Sequence, residues 1–399
     1  MIKRFKIHNF KSIIDIDLDF SYNERKPNGY NPKENEEIYY HQANSKNKLI
    51  PVGAFFGANA SGKTNILNAI STLQQILVFN NIELFNPYRL NDIENKNTIF
   101  ELELIIDKKD CIYTIEYNEE QIVREKFVVN NKTIFETKNG KIKNDKKNDK
   151  ELEEKFKLSC INNNKQNITF LKILSQNYQN FIKEATNFYN FVVRKIKIFY
   201  TNEFPNFIST QQCNFDEIMD ILCKLDNKII KAVYIKRDEG ELINPIDNKI
   251  IKFRIKDDEV KTFHQNTNGD EIEFNLAEES LGTRTLFSLL GFWLKALKEG
   301  EVIFFDEIEK SLHPLLVKSL IKMFKTTQYN SQKSQLFFTT HCIEIMNELR
   351  KTEIYIFNNT TKTGTTIQRL NKIEGVRNIT DFSRQYMNGE YGGIPYITL

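Results

Sequence analysis

The sequence predicts an α/β fold with three parts: a mixed sheet that carries a glycine-rich loop, an antiparallel β layer, and a small helical insertion. Three observations lead to this prediction. The glycine-rich loop at residues 57–64 joins an apolar strand to a helix, and a second apolar run at residues 302–305 ends in two carboxylates. Residues 97–138 alternate apolar and polar side chains in several short runs, as in an antiparallel meander. Parallel α/β sheets bind ligands where their strands end, so we expect the loop and the carboxylates at one site.

The composition is that of a globular protein with balanced charge. The 399 residues are enough for about two to three domains, and 40% of them are hydrophobic. The 56 Lys and Arg against 53 Asp and Glu give a net charge of +3, which argues against a strongly basic nucleic-acid-binding protein but allows a local basic patch. The five cysteines form no C-x-x-C pair, as is typical of reduced thiols. No signal-peptide core and no apolar run of roughly 18 residues occurs, so we expect a cytoplasmic protein without membrane contact.

The order of these patterns divides the chain into three parts. We expect residues 1–140 to form the N-terminal half of the domain that carries the glycine-rich loop and residues 229–399 to form its C-terminal half. Between them, residues 141–228 are expected to form the helical insertion. Hydrophobic periodicity predicts strands in residues 2–20, 49–56, 229–235 and 249–255, and helices over residues 168–198, 214–225 and 285–297.

Residues 57–64 match the pattern G-x-x-x-x-G-K-[ST] between a strand and a helix, as a phosphate-binding loop requires. Glycines let backbone N–H groups turn towards phosphates, and the following helix directs its positive end at them. Lys63 is expected to reach the β- and γ-phosphates of ATP, and the Thr64 hydroxyl to take one position on Mg²⁺. The alternative is a chance glycine-rich turn before a core helix. The predicted phosphate-binding residues are Gly57, Ala58, Asn59, Ala60, Ser61, Gly62, Lys63, Thr64 and Asn65.

Two further strand ends carry candidate catalytic residues. The Asp306 carboxylate is expected to contact Mg²⁺, and the Glu307 carboxylate is expected to polarise the attacking water. His341 ends another apolar run, where its ring is placed to hydrogen-bond the γ-phosphate or the water. The alternatives are a plain strand-end turn for the two carboxylates and a structural role for the histidine. Phosphoryl transfer depends on positioning and charge neutralisation, so Lys63, Glu307 and His341 are the predicted catalytic residues.

A third candidate for anion binding precedes a long apolar helix. Ser280 and Gly282 stand at the expected start of this helix, where backbone N–H groups without a helical partner bind anions. The alternative is that Ser280 only caps the helix.

Several ordered motifs together resemble the ABC-type ATPase heads of SMC-like, RecF-like and OLD-like proteins. More closely, the chain is similar to stand-alone AAA family ATPases of the RloA type, which occur in anti-phage and restriction-linked operons. The resemblance covers nearly the whole chain, although residues 80–225 match only in general pattern. The motifs that carry it are residues 9–13, 57–64, 279–284, 305–314, 339–341 and 386–395.

The resemblance implies an ABC-type P-loop NTPase head that works as a homodimer or higher oligomer. Two heads would close on ATP, with a signature segment of one head on the γ-phosphate bound by the other. Ser311 and His313 would lie near the dimer seam. One departure from the transporter pattern is E-S-L-G-T in place of L-S-G-G-Q, and no glutamine loop is identified, because Gln74 and Gln75 come too early in the chain. The implied trans signature is Ser280, Leu281, Gly282, Thr283 and Arg284.

This resemblance implies an ATP-hydrolysing switch that regulates a partner effector in anti-phage defence. No separate nuclease centre is visible in the sequence, so the effector would be another protein, such as a nuclease encoded nearby. The alternative is a DNA-repair ATPase of the RecF or SMC kind that binds nucleic acid across the closed dimer. A third hypothesis is a nucleotide-binding scaffold that barely hydrolyses ATP, against which Glu307 argues.

Overall fold

The structure is a computed structural model. The residues that it describes are 1–24, 37–90, 96–139, 141–142, 168–177, 182–200, 215–226, 228–235, 239–243, 250–254, 259–310, 312–376 and 381–394.

Twenty strands and seven α-helices are described. The strands are β1 (Ile2–Phe10), β2 (Ile13–Asp19), β3 (His41–Gln42), β4 (Lys48–Leu49), β5 (Val52–Gly57), β6 (Thr98–Ile106), β7 (Lys109–Tyr117), β8 (Ile122–Val129), β9 (Lys132–Lys138), β10 (Lys141–Ile142), β11 (Ile196–Phe199), β12 (Lys231–Ile235), β13 (Glu239–Ile243), β14 (Ile250–Arg254), β15 (Glu259–Gln265), β16 (Glu271–Asn275), β17 (Val302–Phe305), β18 (Gln335–Thr339), β19 (Ile354–Thr360) and β20 (Gly364–Arg369). The helices are α1 (Lys63–Phe79), α2 (Phe170–Asn177), α3 (Lys183–Asn190), α4 (Phe215–Leu225), α5 (Leu281–Glu299), α6 (Pro314–Phe324) and α7 (Phe382–Met387).

A six-stranded central sheet carries the glycine-rich loop. Its strand order is β11-β17-β18-β5-β19-β20, and all neighbours pair in parallel except β19 and β20. The central strands β5, β17 and β18 are largely apolar and buried because helices and a second sheet cover the two faces of this sheet. Because β5, β17 and β18 run in parallel, all three end at the same edge of the sheet.

The second sheet has seven strands in the order β10-β9-β8-β7-β6-β1-β2, and all its pairs are antiparallel. The meander predicted over residues 97–138 forms most of it, as the alternation of side chains indicates. The N-terminal hairpin joins the meander through β1 and β6, with Phe5 opposite Leu102. The predicted mixed sheet and antiparallel β layer are therefore confirmed.

The side chains of the central sheet alternate between two hydrophobic cores. Phe55 and Phe337 point into the core shared with the seven-stranded sheet and α1, while Phe56 and Phe338 point into the core formed with α4, α5 and α6. Trp293 of α5 is fully buried in the second core, and its indole N–H donates to the Leu320 carbonyl. The glycine-rich loop is thus supported from both sides of the sheet.

The helix predicted over residues 168–198 is wrong at its C-terminal end. After α2 and α3, the chain forms one wider helical turn at Phe191–Lys195, and Ile196–Phe199 is then a strand. This strand, β11, pairs in parallel with β17 along the whole length of both. An open sheet edge supplies backbone hydrogen bonds that local helical periodicity cannot anticipate. The boundaries of the predicted helical insertion, residues 141–228, stay a prediction.

No helix in the described ranges has both the length and the hydropathy that a membrane crossing requires.

Candidate functional site

A cavity of about 310 Å³ opens where β5, β17 and β18 end. The phosphate-binding loop forms one wall, and Glu307 and His341 come from the neighbouring strand ends. The structure thus brings together residues from four separate parts of the sequence. The lining residues are Ser12, Asn59, Ala60, Ser61, Gly62, Lys63, Thr64, Asn65, Glu307, Thr339 and His341.

Glycine is required at both ends of the loop. A Cβ atom on Gly57 would lie 2.6 Å from the Phe357 carbonyl oxygen and 2.7 Å from the Ser61 hydroxyl. Gly62 has φ +96°, a conformation that favours glycine, and a Cβ there would overlap the Thr365 side chain. Both substitutions would deform the loop, so its shape depends on these two positions.

The loop presents unsatisfied polar groups towards the cavity. The Ser61 hydroxyl is buried and has no hydrogen-bond partner among the described residues. Gly62 precedes α1 without a side-chain cap, so the first N–H groups of this helix are not satisfied by a capping residue. Buried polar groups and helix N-termini of this kind bind phosphate oxygens well.

Lys63 is nearly buried, and its ammonium group donates to the loop itself. The Nζ atom lies 2.8 Å from the Gly57 carbonyl oxygen and 3.0 Å from that of Ala58. Burial lowers the pKa of Lys63, and the nearby carboxylates of Asp306 and Glu307 oppose this shift. A phosphate would offer the ammonium a charged acceptor in place of two neutral carbonyls.

Thr64 and Asp306 meet at the floor of the site. The Thr64 hydroxyl donates to the Asp306 carboxylate, at 3.1 Å from Oδ1 and 3.2 Å from Oδ2. A hydroxyl beside a carboxylate is the set of hard oxygen ligands that Mg²⁺ uses together with substrate phosphates. The residues at this position therefore fit a magnesium ion.

Glu307 has an unusual backbone conformation. Its φ is +51°, in the left-handed region that non-glycine residues rarely occupy. The Glu307 N–H donates to the Thr339 hydroxyl at 2.8 Å. Strained residues cluster at functional sites, where the surrounding structure holds them in place. The conformation of Glu307 is therefore consistent with a functional role.

His341 follows β18 and is exposed at the cavity rim. Its backbone N–H donates to Glu309 Oε1 at 2.6 Å, which ties it to the segment after β17. The second carboxylate oxygen of Glu309 is buried without a hydrogen-bond partner among the described residues. The histidine is thus anchored by its backbone, and its ring is left at the mouth of the cavity.

The signature residues do not line this cavity within one chain. Ser280 is the N-cap of α5, and its hydroxyl accepts the Thr283 N–H at 3.1 Å. Leu281 and Arg284 are exposed, and Gly282 is half-buried. A single copy of the chain therefore shows only the capping role of Ser280, and the trans role stays a prediction.

Gln74 and His313 do not line the cavity. Gln74 donates to the carbonyls of Val192 and Ile196, at 2.7 and 2.9 Å, which holds α1 against the start of β11. His313 is the N-cap of α6, and its Nδ1 accepts the Leu315 N–H. Ser311 and residue 395 of the C-terminal motif lie outside the described residues.

The sequence reasoning assigned no role at the site to Ser12, Thr339 or Thr365, although Ser12 and Thr339 lie in two of its motifs. The Ser12 hydroxyl accepts the Asn65 amide at 2.7 Å and shares a hydrogen bond with the Thr365 hydroxyl at 2.7 Å. Thr339 lines the cavity beside Glu307. Ser12 lies in the motif of residues 9–13, which was a signal for Ser12, whereas no local pattern marks Thr365.

Two other clefts among the described residues are distinct from the cavity of about 310 Å³. One of about 490 Å³ adjoins it, shares Asn59 and His341 with it, and is lined on its far side by apolar side chains such as Met387. The other, of about 580 Å³, lies along α6, away from the strand ends. Its lining includes Lys318 and Glu348, which pair at 3.1 Å. Most of the predicted phosphate-binding residues line the cavity of about 310 Å³, whereas Gly57 and Ala58 line the adjoining cleft.

The chain is similar to a protein family and to solved structures. The family model described as "AAA domain, putative AbiEii toxin, Type IV TA system" matches residues 54–347. Among solved structures, the SMC head domain from Thermotoga maritima is similar with a TM-score of 0.46 and 14% identity, covering 92% of this chain and 98% of that one. The Smc head domain with an extended coiled coil bound to the C-terminal domain of ScpA, from Pyrococcus furiosus, has a TM-score of 0.44 and 15% identity, covering 93% and 97%. No curated protein matches the chain.

Proposed function

We propose that this chain, which belongs to the AAA-domain family described as "putative AbiEii toxin, Type IV TA system", binds ATP with Mg²⁺ and hydrolyses it. One observation carries the proposal. The phosphate-binding loop, Glu307 and His341 surround a single cavity, and Asp306 meets Thr64 at its floor. A glycine-rich turn that binds no phosphate would not account for the proximity of these groups.

The loop residues would bind the phosphates of ATP. The N–H groups at the start of α1 and the unpaired Ser61 hydroxyl supply donors, and Lys63 supplies positive charge. Lys63 would exchange its two carbonyl contacts for phosphate oxygens. This exchange favours binding because a phosphate oxygen carries a negative charge, which attracts the ammonium more strongly than a neutral carbonyl does.

Thr64 and Asp306 would hold the magnesium ion. When bound, Mg²⁺ neutralises the charge that develops on the phosphate oxygens during transfer. Thr64 supplies a hydroxyl oxygen, and Asp306 supplies a carboxylate at the C-terminal end of β17. The strand and the helix hold these two side chains in fixed positions.

Glu307 would orient and deprotonate the attacking water, and His341 would hydrogen-bond the γ-phosphate. Both side chains line the cavity on the side of β17 and β18. A positioned general base typically contributes about 10²- to 10⁴-fold to the rate. We assign this share of the rate to Glu307.

We further propose that two copies close on ATP and that the closed dimer acts as a switch. The exposed Ser280 and Leu281 support this, because they leave the start of α5 accessible to a second copy. Ligands that bind only the closed state shift the equilibrium towards it. In this proposal Gly282, Thr283 and Arg284 complete the trans segment.

The role in the cell is proposed from the resemblance. The RloA-like subclass implies anti-phage defence and a partner effector such as a nuclease. The family description, which names a putative toxin of a toxin–antitoxin system, is compatible with action through a partner. Co-purification with the product of a neighbouring reading frame tests this part.

The biochemical test compares the wild-type chain with Glu307→Gln. The variant should bind ATP, hydrolyse it about 10²- to 10⁴-fold more slowly, and accumulate as a dimer in size-exclusion chromatography with light scattering. Wild-type turnover in this variant would refute the role of Glu307. A DNA shift that requires ATP and weakens steeply between two salt concentrations would instead favour the RecF- or SMC-like alternative.

A further inference from the structure

Thr339 connects the two acidic residues of the site. Its hydroxyl lies 2.7 Å from Asp306 Oδ1 and 2.8 Å from the Glu307 backbone nitrogen. A hydroxyl has one proton to donate and lone pairs to accept with. Because the Glu307 N–H can only donate, the Thr339 oxygen accepts from it and gives its own proton to Asp306.

The strand register places this hydroxyl beside the Asp306 carboxylate and the Glu307 backbone. Phe305 pairs with Phe338, and both rings lie in the core on the other face of the sheet. Side chains alternate along a strand, so the next residue on β18 faces the cavity. Thr339 is only 1% exposed and ends a strand that is otherwise apolar from residue 336. A valine would fill the same volume, so packing alone does not require a hydroxyl here.

We propose that Thr339 is a positioning residue that orients Asp306 for Mg²⁺ and holds Glu307 in its left-handed conformation. This inference rests on the proposed function. Thr339 donates to Oδ1 of Asp306, and Thr64 also donates to the same carboxylate at longer distances. The same oxygen of Thr339 satisfies the N–H of the strained residue. One side chain therefore sets the orientation of the metal ligand and of the catalytic base.

The test compares Thr339→Val with Thr339→Ser. The valine variant keeps the shape and loses the hydroxyl, so the Mg²⁺ concentration for half-maximal turnover should rise and turnover should fall, each by about 10- to 100-fold. Nucleotide affinity in EDTA should stay as in the wild type. The serine variant should restore the Mg²⁺ dependence, because it restores the hydroxyl. A valine variant with wild-type Mg²⁺ dependence, or a serine variant as impaired as the valine one, would overturn the inference.

Thr352→Val is the matched control. Thr352 is also fully buried, but its hydroxyl has no hydrogen-bond partner in the described part of the chain. This variant should keep wild-type turnover and Mg²⁺ dependence. If it shows the same loss as Thr339→Val, the effect comes from removing any buried hydroxyl, and the inference is wrong.

A double-variant experiment separates positioning from other effects. In an Asp306→Asn background, Thr339→Val should cause no further loss of Mg²⁺-dependent nucleotide affinity, because the group through which it acts is already impaired. A further loss of equal size would overturn the inference. The proposed function fails separately, if the wild type and Lys63→Ala bind ATP with Mg²⁺ equally poorly.

Discussion

Replacing Glu125 with glutamine tests how the antiparallel sheet holds α2. Glu125 lies on β8, is 1% exposed, and accepts three hydrogen bonds. The donors are the Phe170 N–H at 2.6 Å, the Leu171 N–H at 2.8 Å and the Tyr113 hydroxyl at 2.9 Å. Glu125 thus caps the N-terminus of a helix that is distant in sequence.

The burial of Glu125 determines how strongly the free energy of unfolding depends on pH. Burial raises the pKa of Glu125 from 4.5 to about 7, although the three donors favour the charged form. The folded chain therefore binds the carboxyl proton of Glu125 more tightly than the unfolded chain does. The resulting stabilisation is fully present below pH 4.5 and is lost as the pH rises through 7. Between pH 5 and pH 8 the loss in the free energy of unfolding is on the order of 2–3 kcal/mol, at 1.36 kcal/mol per pKa unit.

Glutamine has the same shape but offers one acceptor oxygen for three donors. Its amide N–H₂ would face one backbone N–H, which costs about 1–3 kcal/mol. We expect Glu125→Gln to be less stable than the wild type at pH 5 by this amount. At pH 8 the difference should shrink or reverse, because the variant no longer carries the buried charge.

The assay is urea unfolding of both chains from pH 5 to pH 8, with Glu120→Gln as a control in an exposed turn. The control should follow the wild type at every pH. If the difference between Glu125→Gln and the wild type does not change with pH, Glu125 does not titrate in this range, and the reasoning from burial is refuted.

The remaining predictions concern the site. Lys63→Ala should abolish ATP binding in a fluorescent-nucleotide titration, since it removes the only positive charge among the residues lining the described cavity; unchanged affinity would contradict the assignment of the loop. Ser280→Arg should bind ATP normally as a monomer yet fail to associate on ATP, and dimer formation equal to the wild type in light scattering would exclude the trans role. His341→Ala should lower turnover by about 10- to 100-fold with little change in nucleotide affinity, and a large loss of affinity instead would assign His341 to ground-state binding.

Some features of this protein follow from local sequence alone. The loop at residues 57–64 depends on glycines that permit its backbone conformation, and this requirement is visible in their spacing. The apolar run of β17 predicts a buried strand, and the carboxylates after it mark the strand end. Ser280 likewise caps α5, as the sequence indicates. The cap of α5 involves residues only three positions apart, whereas the overlaps that exclude a side chain at Gly57 and Gly62 also come from the distant Phe357 and Thr365.

Other features were decided only by the tertiary structure. Residues 196–199 join the central sheet because β17 offers an open edge, although their neighbours are helical. Thr339 reaches Asp306 because two strands far apart in sequence pair in one register, and Glu125 caps α2 across 45 residues of chain. Sequence periodicity reports which face of an element is buried, but not which distant element covers it. Hydrogen bonds between distant segments depend on that pairing, so only the folded chain determines them.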